Sequence, residues 1–564
     1  MQQIEFGQFV LDLSRERLLR DGDQVKLRPQ SFRILQYLVE NSGRLLTKSE
    51  LVNALWGDLA VTDDSLVQCL RDVRLALDDR DHAIIQTVPK RGYLFALRPK
   101  FRPKFSSIAV LPFADMSSDS EKVEYLADGL AEELINVLGQ APGLKVVSRG
   151  SSFRFRGKAQ DIAELGRQLN VSTILEGSVR RSGDQLRIAI QLVNASDGYS
   201  FWSQTYDRRM GDLIAIQEEI ATSVMRSLAL HTGGDELKLP ARRYAANSNA
   251  YHLYLTGRHF WNKRTKSAVE KAIECWERAI AADPDCALAY SGIADGYAML
   301  GYHGYRSPRD AFEAGRAAAR KAIEINDLLS EAHASLGELS LHFRCDLKTC
   351  ALELKTAATL NPAYSRAHHN WSHYWISAGD IERSLEASLR ALDLDPMNLV
   401  LTAHLCWHHY HAAEFGLAIA AGQRAIDMDA SLIMARIYLG RAYALNRMYK
   451  EAINEFDKSL AEGGGDVKGY LGLTFALAGE RRKAEHMLAE LASGSADHYV
   501  SPYHPGTIVL ALGDVEGAFV WLDKAVDEGG RHVAALRLDP ALASIRGDPR
   551  FQMLLRRIES IPNA

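Results

Sequence analysis

Repetition is the feature that most constrains this chain. From about residue 244 to 560, helix-forming stretches are cut at near-even intervals by a turn-forming pair: Asp283-Pro284, Asn326-Asp327, Asn361-Pro362, Asp395-Pro396 and Asp429-Ala430. Asn326, Asn361, Asp395 and Asp429 follow one another at steps of 35, 34 and 34 residues, and the wider step of 43 from Asp283 to Asn326 implies an insertion near Gly301–Pro308. A fixed period of this length means one antiparallel helix pair per unit, stacked so that each pair covers the apolar face its neighbour leaves open. Small and large residues fall where such packing needs them. One unit sets Gly440 and Ala452 against Tyr443 and Phe456, and another sets Gly472 and Ala484 against Phe475.

The period is that of the tetratricopeptide repeat, and about eight units fit residues 244–560 as an all-α solenoid. Two other textures precede it. Residues 1–98 read as short strands, three helices and a closing hairpin. Residues 105–235 alternate strands and helices, with Ser182-Gly183-Asp184 joining two alternating runs as a hairpin, so they form a small α/β domain. The expected architecture is therefore multidomain: an α+β domain, a small α/β domain and an all-α solenoid.

Hydrophobic residues make up 47% of the 564-residue chain and charged residues 24%, a globular balance that excludes a disordered or fibrous protein. The net charge is −4, yet residues 1–104 hold 17 Lys and Arg against 14 Asp and Glu. A mildly positive head on an acidic body fits one nucleic-acid-binding end. None of the six cysteines forms a C-x-x-C pair, as expected of reduced thiols in a cytoplasmic protein. Met1–Val10 carries no secretory signal and no apolar run reaches about 18 residues, so neither export nor a membrane span is expected.

Within 1–98, the third helix places Leu66, Leu70, Val73 and Leu77 on one stripe, leaving Ser65, Gln68, Arg71, Asp72 and Leu75 opposite. Thr47 with Glu50 three residues on is a capping box for the second helix. Ile84–Phe95 reads as a hairpin with a basic tip. A helix fits the major groove of double-stranded DNA, and a basic hairpin reaches phosphates or a neighbouring groove.

The segments RPQSFRILQYLVENSGRLLTKSELVNALWG, VTDDSLVQCLRDVRLAL and IIQTVPKRGYLF resemble the OmpR/PhoB-type winged helix. The resemblance implies that Gln68, Arg71 and Asp72 face base edges. It puts Thr47, Trp56, Arg74 and Thr87 near phosphates, and Lys90 and Arg91 in the wing. Asp72 departs from the pattern, since many relatives are basic there. Asp78, Asp79 and Asp81 read as a solvated loop. With the winged helix starting near residue 1, no phosphoacceptor receiver is expected before it. Without the membrane span of the ToxR/CadC type, the arrangement looks like the HilA-type regulators. Residues 105–235 resemble the TolB N-terminal-like segment, carried by IAVLPFADMSSDSEKVEYLADGLAEELINVL and LIAIQEEI.

No enzyme is expected. Asp115, Asp128, Glu132 and Glu133 read as helix-surface acids, and no phosphate-binding loop, H-E-x-x-H or dinucleotide fingerprint is present. His404, His408 and His411 share a helix face, but no Cys or acidic partner has ligand spacing, so no metal or other cofactor is expected. The resemblance to the tetratricopeptide repeat implies a concave groove lined by the first helix of each pair, which places His342, His369, His373, Trp407, Tyr410, His411 and Arg441 on one inner surface, suited to a protein, peptide or aromatic ligand and open to tuning by protonation near pH 6.5. The expected function is sequence-specific transcriptional regulation, more often activation by family analogy, with a possible homodimer on DNA and a contact from Trp56–Thr62 to RNA polymerase. The alternative is a scaffold protein whose winged helix binds protein.

Overall fold

Why the chain forms two compact units follows from where its apolar stripes meet. The computed structural model describes residues 3–12, 17–20, 23–56, 63–89, 91–97, 100–102, 107–118, 124–157, 161–232, 247–461, 467–493 and 499–560. The first unit is built on the winged-helix residues, and the second joins residues 108–225 to the repeats.

In the first unit, strands Gln3–Phe6, Phe9–Asp12, Arg17–Arg20 and Asp23–Val25 form an antiparallel meander, extended at its edge by Lys100–Arg102. Helices Pro29–Glu40, Lys48–Trp56 and Asp63–Ala76 follow. Pro29 opens the first, where its missing N–H costs no hydrogen bond. Thr47 Oγ1 accepts the Glu50 N–H at 3.1 Å, capping the second. A second sheet runs Leu45–Leu46, Gly92–Phe95, Ile85–Val88. Leu66, Leu70, Val73 and Leu77 are buried with Leu35, Leu38 and Phe95 in one core. Gly92 is required: its φ is +140°, and a Cβ there would lie 1.9 Å from the Leu46 carbonyl oxygen.

The second unit begins with a sheet in the order Lys145–Val146, Ser107–Val110, Thr173–Ser182, Gln185–Asn194, Ser200–Arg209; Ala114–Asp115 pairs in parallel with Thr173–Ser182. Helix Glu124–Gly139 is buried along nearly its whole length, including Asp128, Glu132 and Glu133. A helix buried all round must be covered on two sides. The repeats supply the second cover.

Eight helix pairs follow among the described residues: Ser248–Trp261 with Lys266–Ala282, Ala287–Tyr302 with Pro308–Ile325, Ser330–Arg344 with Leu347–Leu360, Ser365–Ala378 with Ile381–Leu394, Leu399–His411 with Phe415–Met428, Ile433–Leu445 with Tyr449–Ala461, Val467–Leu477 with Arg481–Ala492, and Tyr503–Ala511 with Val515–Glu528. Close crossing depends on small residues, as at Gly440, where a Cβ would meet the Phe456 ring at 2.6 Å. The periodic residues of the sequence end helices. Asp283, Asn326, Asn361 and Asp429 each stand just past a helix and accept the amide two residues on, at 3.1, 3.1, 3.1 and 3.0 Å. Asp395 stands at the equivalent place, but its carboxylate accepts the Ser151 N–H at 2.7 Å.

That exchange is part of a buried seam between the α/β domain and the repeats. Glu132 accepts from Arg258 and from Asn262 at 3.1 Å, and Arg149 pairs with it at 3.0 Å. Arg258 also reaches Asp295 at 3.2 Å, and Arg366 joins Asp295 to Glu338 at 2.6 and 2.8 Å. Tyr254 donates to Glu133 at 3.1 Å, and Lys145 pairs with Asp393 at 2.8 Å. Glu132 and Glu133, expected on a helix surface, are therefore interface groups. Asp128 is buried but pairs with Arg156 of its own domain, and Asp115 accepts the Ser117 N–H at 2.8 Å. Burial would raise the Glu132 carboxyl, but Arg258 and Arg149 outweigh it and hold it below the ordinary value.

Arg258→Ala leaves Glu132 and Asp295 buried with fewer counter-charges. Stability should fall by about 3 kcal/mol, the lower end for breaking a buried pair, because Arg149 and Arg366 remain. Thermal denaturation of the full chain by far-UV circular dichroism checks this, and an unchanged midpoint would show the seam to be dispensable.

Candidate nucleic-acid interface and repeat groove

With its stripe buried, helix Asp63–Ala76 turns Gln68 and Arg71 outward, and both are exposed. Asp72 lies on the same side but is engaged. It accepts from Arg28, from Ser31 Oγ at 3.0 Å and from Gln68 Nε2 at 3.1 Å. Burial would raise its carboxyl; the hydrogen bonds from Arg28, Ser31 and Gln68 prevail and hold it below the usual carboxylate range. The acid that departs from the basic pattern is thus neutralised by Arg28, a partner 44 residues earlier that sequence reasoning missed.

Arg74 lies against the wing, donating to the Ile85 carbonyl and to Thr87 Oγ1, both at 2.8 Å. Two residues placed near phosphates therefore bond each other and lock the helix to strand Ile85–Val88. Thr47 is exposed at the cap of its helix. Arg91 is exposed, and its N–H closes the hairpin turn on the Val88 carbonyl at 3.0 Å. Lys90, residues 57–62 and the Trp56 side chain lie outside the described residues. Asp79 corrects the solvated-loop expectation. It is buried, and its two oxygens accept the Ile84 and Ile85 N–H groups at 2.9 and 2.8 Å, so it closes the loop that leads into the wing.

The groove residues divide into two sets. His342, His369 and His373 line an open cavity of about 520 Å³, together with Arg264, Tyr302, His404 and Tyr438. Trp407, Tyr410, His411 and Arg441 lie instead beside helix Arg531–Ala535 and the turns that follow it. Gly530 donates to the His342 carbonyl at 3.0 Å, and Ser377 Oγ donates to the Ala534 carbonyl at 2.5 Å. Asp539 draws in Tyr410 at 3.2 Å, Tyr503 at 2.5 Å and Arg441 at 3.5 Å. The chain's own C-terminal segment fills that end of the groove, which a register read from the repeats alone could not reveal. In the open part, Arg264 lies 3.6 Å from the Trp261 ring centroid. Burial, with Arg366 and Arg258 nearby, pushes its guanidinium down to about 9.

Protonation near pH 6.5 does not suit these histidines. Burial pushes His342 and His404 down to about 4 and His411 to about 3. They stay neutral through the physiological range.

A winged helix with an exposed polar helix face and a helical-repeat groove on the same chain define the class: a winged-helix protein with a repeat-built groove. Two family models agree with that class. Residues 22–95 match the transcriptional regulatory protein C-terminal family, and residues 104–223 match the second domain of HilA/YgeH-like transcriptional regulators. Transcriptional regulator HilA of Salmonella typhi is 23% identical over 96% of this chain and 97% of its own length. Transcriptional activator CadC of Escherichia coli K12 is 33% identical over 16% of this chain and 19% of its own. Putative adenylate cyclase 3 of Rhizobium meliloti is 34% identical over 35% of this chain, which spans only 33% of that relative. The chain is accordingly a DNA-binding transcriptional regulator with an OmpR/PhoB-type winged helix and a HilA-like second domain. No described helix is long and apolar enough to cross a membrane.

The depressed His411 has a consequence for stability. Its folded value near 3 lies below the ordinary 6.5, so protons favour the unfolded chain. Its contribution is complete above pH 6.5 and declines as pH falls from 6.5 toward 3, reaching a loss of about 2 kcal/mol at pH 5. His411→Phe should flatten the fall in thermal midpoint between pH 7 and pH 5; an identical slope in both proteins would contradict the assignment.

Proposed function

We propose that this protein binds promoter DNA through its winged helix and activates transcription in response to a ligand or protein held in the repeat groove. The observation that carries the reading is the face of helix Asp63–Ala76: Gln68 and Arg71 exposed, with the one acid beside them already paired to Arg28. Arg71 can bond a guanine edge bidentately, and Gln68 an adenine. Arg91, with Lys90, reaches phosphates or the adjacent minor groove from the wing. Thr47, Trp56, Arg74 and Thr87 border the phosphate backbone, with Arg74 and Thr87 also fixing the wing against the helix. Asp72 orients Gln68 through their shared hydrogen bond.

In this reading residues 1–98 recognise DNA, 105–235 transmit and 244–560 sense. The seam at Glu132 supports transmission, because a change in the repeats reaches the α/β domain through buried charges rather than through a loose linker. The cavity beside His342, His369 and His373 takes the ligand, and residues Trp56–Thr62 contact RNA polymerase. Binding as a homodimer doubles the modest charge of a single head. The protein works in the cytoplasm and catalyses no reaction: its buried acids are committed to the seam.

Fluorescence anisotropy on promoter fragments across a salt series tests the proposal. Affinity should fall steeply as salt rises, because phosphate contacts release counterions. Arg71→Ala should cost about 1–3 kcal/mol on the specific site and little on random DNA, whereas Arg91→Ala should weaken both and lower the salt slope by about 1. Binding that ignores salt and both substitutions would move the function to protein contacts.

A further inference from the structure

Three imidazoles meet at the edge of the open cavity in an arrangement that DNA binding does not use. His369 and His373 stand four residues apart on helix Ser365–Ala378, so they share a face, with ring centroids 4.6 Å apart. His408, from helix Leu399–His411 of the next repeat, brings its ring within 5.7 Å of His373. One ring nitrogen from each of the three lies within 4.8 Å of the other two.

The hydrogen bonding around them is incomplete. His369 Nδ1 and His373 Nε2 are buried and meet no partner, a costly state for polar atoms. His408 Nδ1 lies 2.8 Å from Ser384 Oγ, which donates onward to the Ser372 carbonyl at 2.9 Å. The ring therefore donates its one N–H there. His408 Nε2 then carries the lone pair and faces Ser372 Oγ at 2.9 Å, whose single proton serves either that nitrogen or the His369 carbonyl at 2.6 Å. Burial, reinforced by the neighbouring imidazoles, holds all three rings well below their ordinary value. All three are neutral nitrogen donors, the form that binds metal; a buried nitrogen of His369 and of His373 has no partner, and His408 Nε2 is released when the Ser372 hydroxyl turns to the His369 carbonyl.

We infer that His369, His373 and His408 form a binding site for a first-row divalent transition cation of the zinc class. Three neutral nitrogens select such ions over calcium and magnesium, which require oxygen donors. Zinc–nitrogen bonds of about 2.0–2.1 Å need ligand atoms about 3.4 Å apart in a tetrahedron, so the rings close by rotation about their side-chain bonds. Ser384 serves as the outer partner that fixes the tautomer and orientation of His408. Two of the three ligands line the 520 Å³ cavity, so the fourth coordination position opens toward it and is taken by water or by an anionic group of a groove ligand. Sequence spacing alone pointed to His404, His408 and His411 on a single helix; the site needs the i, i+4 pair on the preceding repeat, which only stacking brings alongside. The inference is independent of the DNA-binding reading.

Cobalt(II), followed by its visible d–d absorption, is the probe, titrated into the tag-free, chelator-treated full chain and then displaced with zinc. One equivalent should give tetrahedral bands that zinc removes and magnesium leaves. His369→Ala/His373→Ala should abolish them, and Ser384→Ala should weaken binding about 10- to 100-fold with the far-UV circular dichroism retained. The exposed His486→Ala should bind as the unsubstituted chain does. Should the double variant misfold, the thermal midpoint of the unsubstituted chain gives a second reading, rising with zinc concentration if the folded state binds the ion. Absence of stoichiometric bands together with an unmoved midpoint, or bands unchanged in a folded double variant, would overturn the site.

Discussion

The buried charges around Glu132 set the terms for the second unit. A carboxylate this deeply enclosed is tolerated only because Arg258 and Arg149 converge on it and Asn262 meets its other oxygen. Arg258 then needs Asp295, and Asp295 needs Arg366. Each ion is compensated by one from the next element, so the α/β domain and the first repeats must meet in one geometry. Apolar contact would permit sliding; a chain of charges does not. Asp395 extends the constraint, since it gives up the turn its counterparts make in order to hold the Ser151 backbone.

The DNA-binding head uses charge in the opposite way. Its core is an ordinary apolar stripe, and the exposed side carries few basic groups. Pairing Arg28 with Asp72 removes a repulsive charge from the recognition face but uses one cation to do so. Arg74 is likewise turned inward to brace the wing. Gln68, Arg71 and Arg91 are left exposed. On the proposed reading, an interface with so few cations gains more from geometry than from field strength.

Much of this was readable in the residues. The 34-residue period marked the helix ends because Asp and Asn side chains cap turns through local bonds, and Gly440 beneath Phe456 is a contact within one helix pair. The stripe from Leu66 to Leu77 identified the buried and exposed faces of that helix for the same reason: helical periodicity is local. The features that escaped are long-range. Arg28 and Asp72 are distant in sequence, Asp79 sits in an acidic run that reads as solvated, and Glu132 lies on a helix whose second cover comes from the repeats. The register of the groove was legible, but residues 530–545 return across it from the far end of the chain and bury Trp407, Tyr410, His411 and Arg441. A one-dimensional repeat pattern contains no information about which segment closes it.

In the proposed reading this chain recognises particular promoters through the face of helix Asp63–Ala76 and the wing. Genome-wide occupancy of the intact protein, measured beside an Arg71→Ala/Arg91→Ala double variant expressed at the same level, tests it most directly. Discrete promoter peaks are expected for the intact protein and should vanish in the double variant while it remains folded. An absence of peaks, or peaks that persist unchanged in the variant, would contradict it and place the function in the repeats.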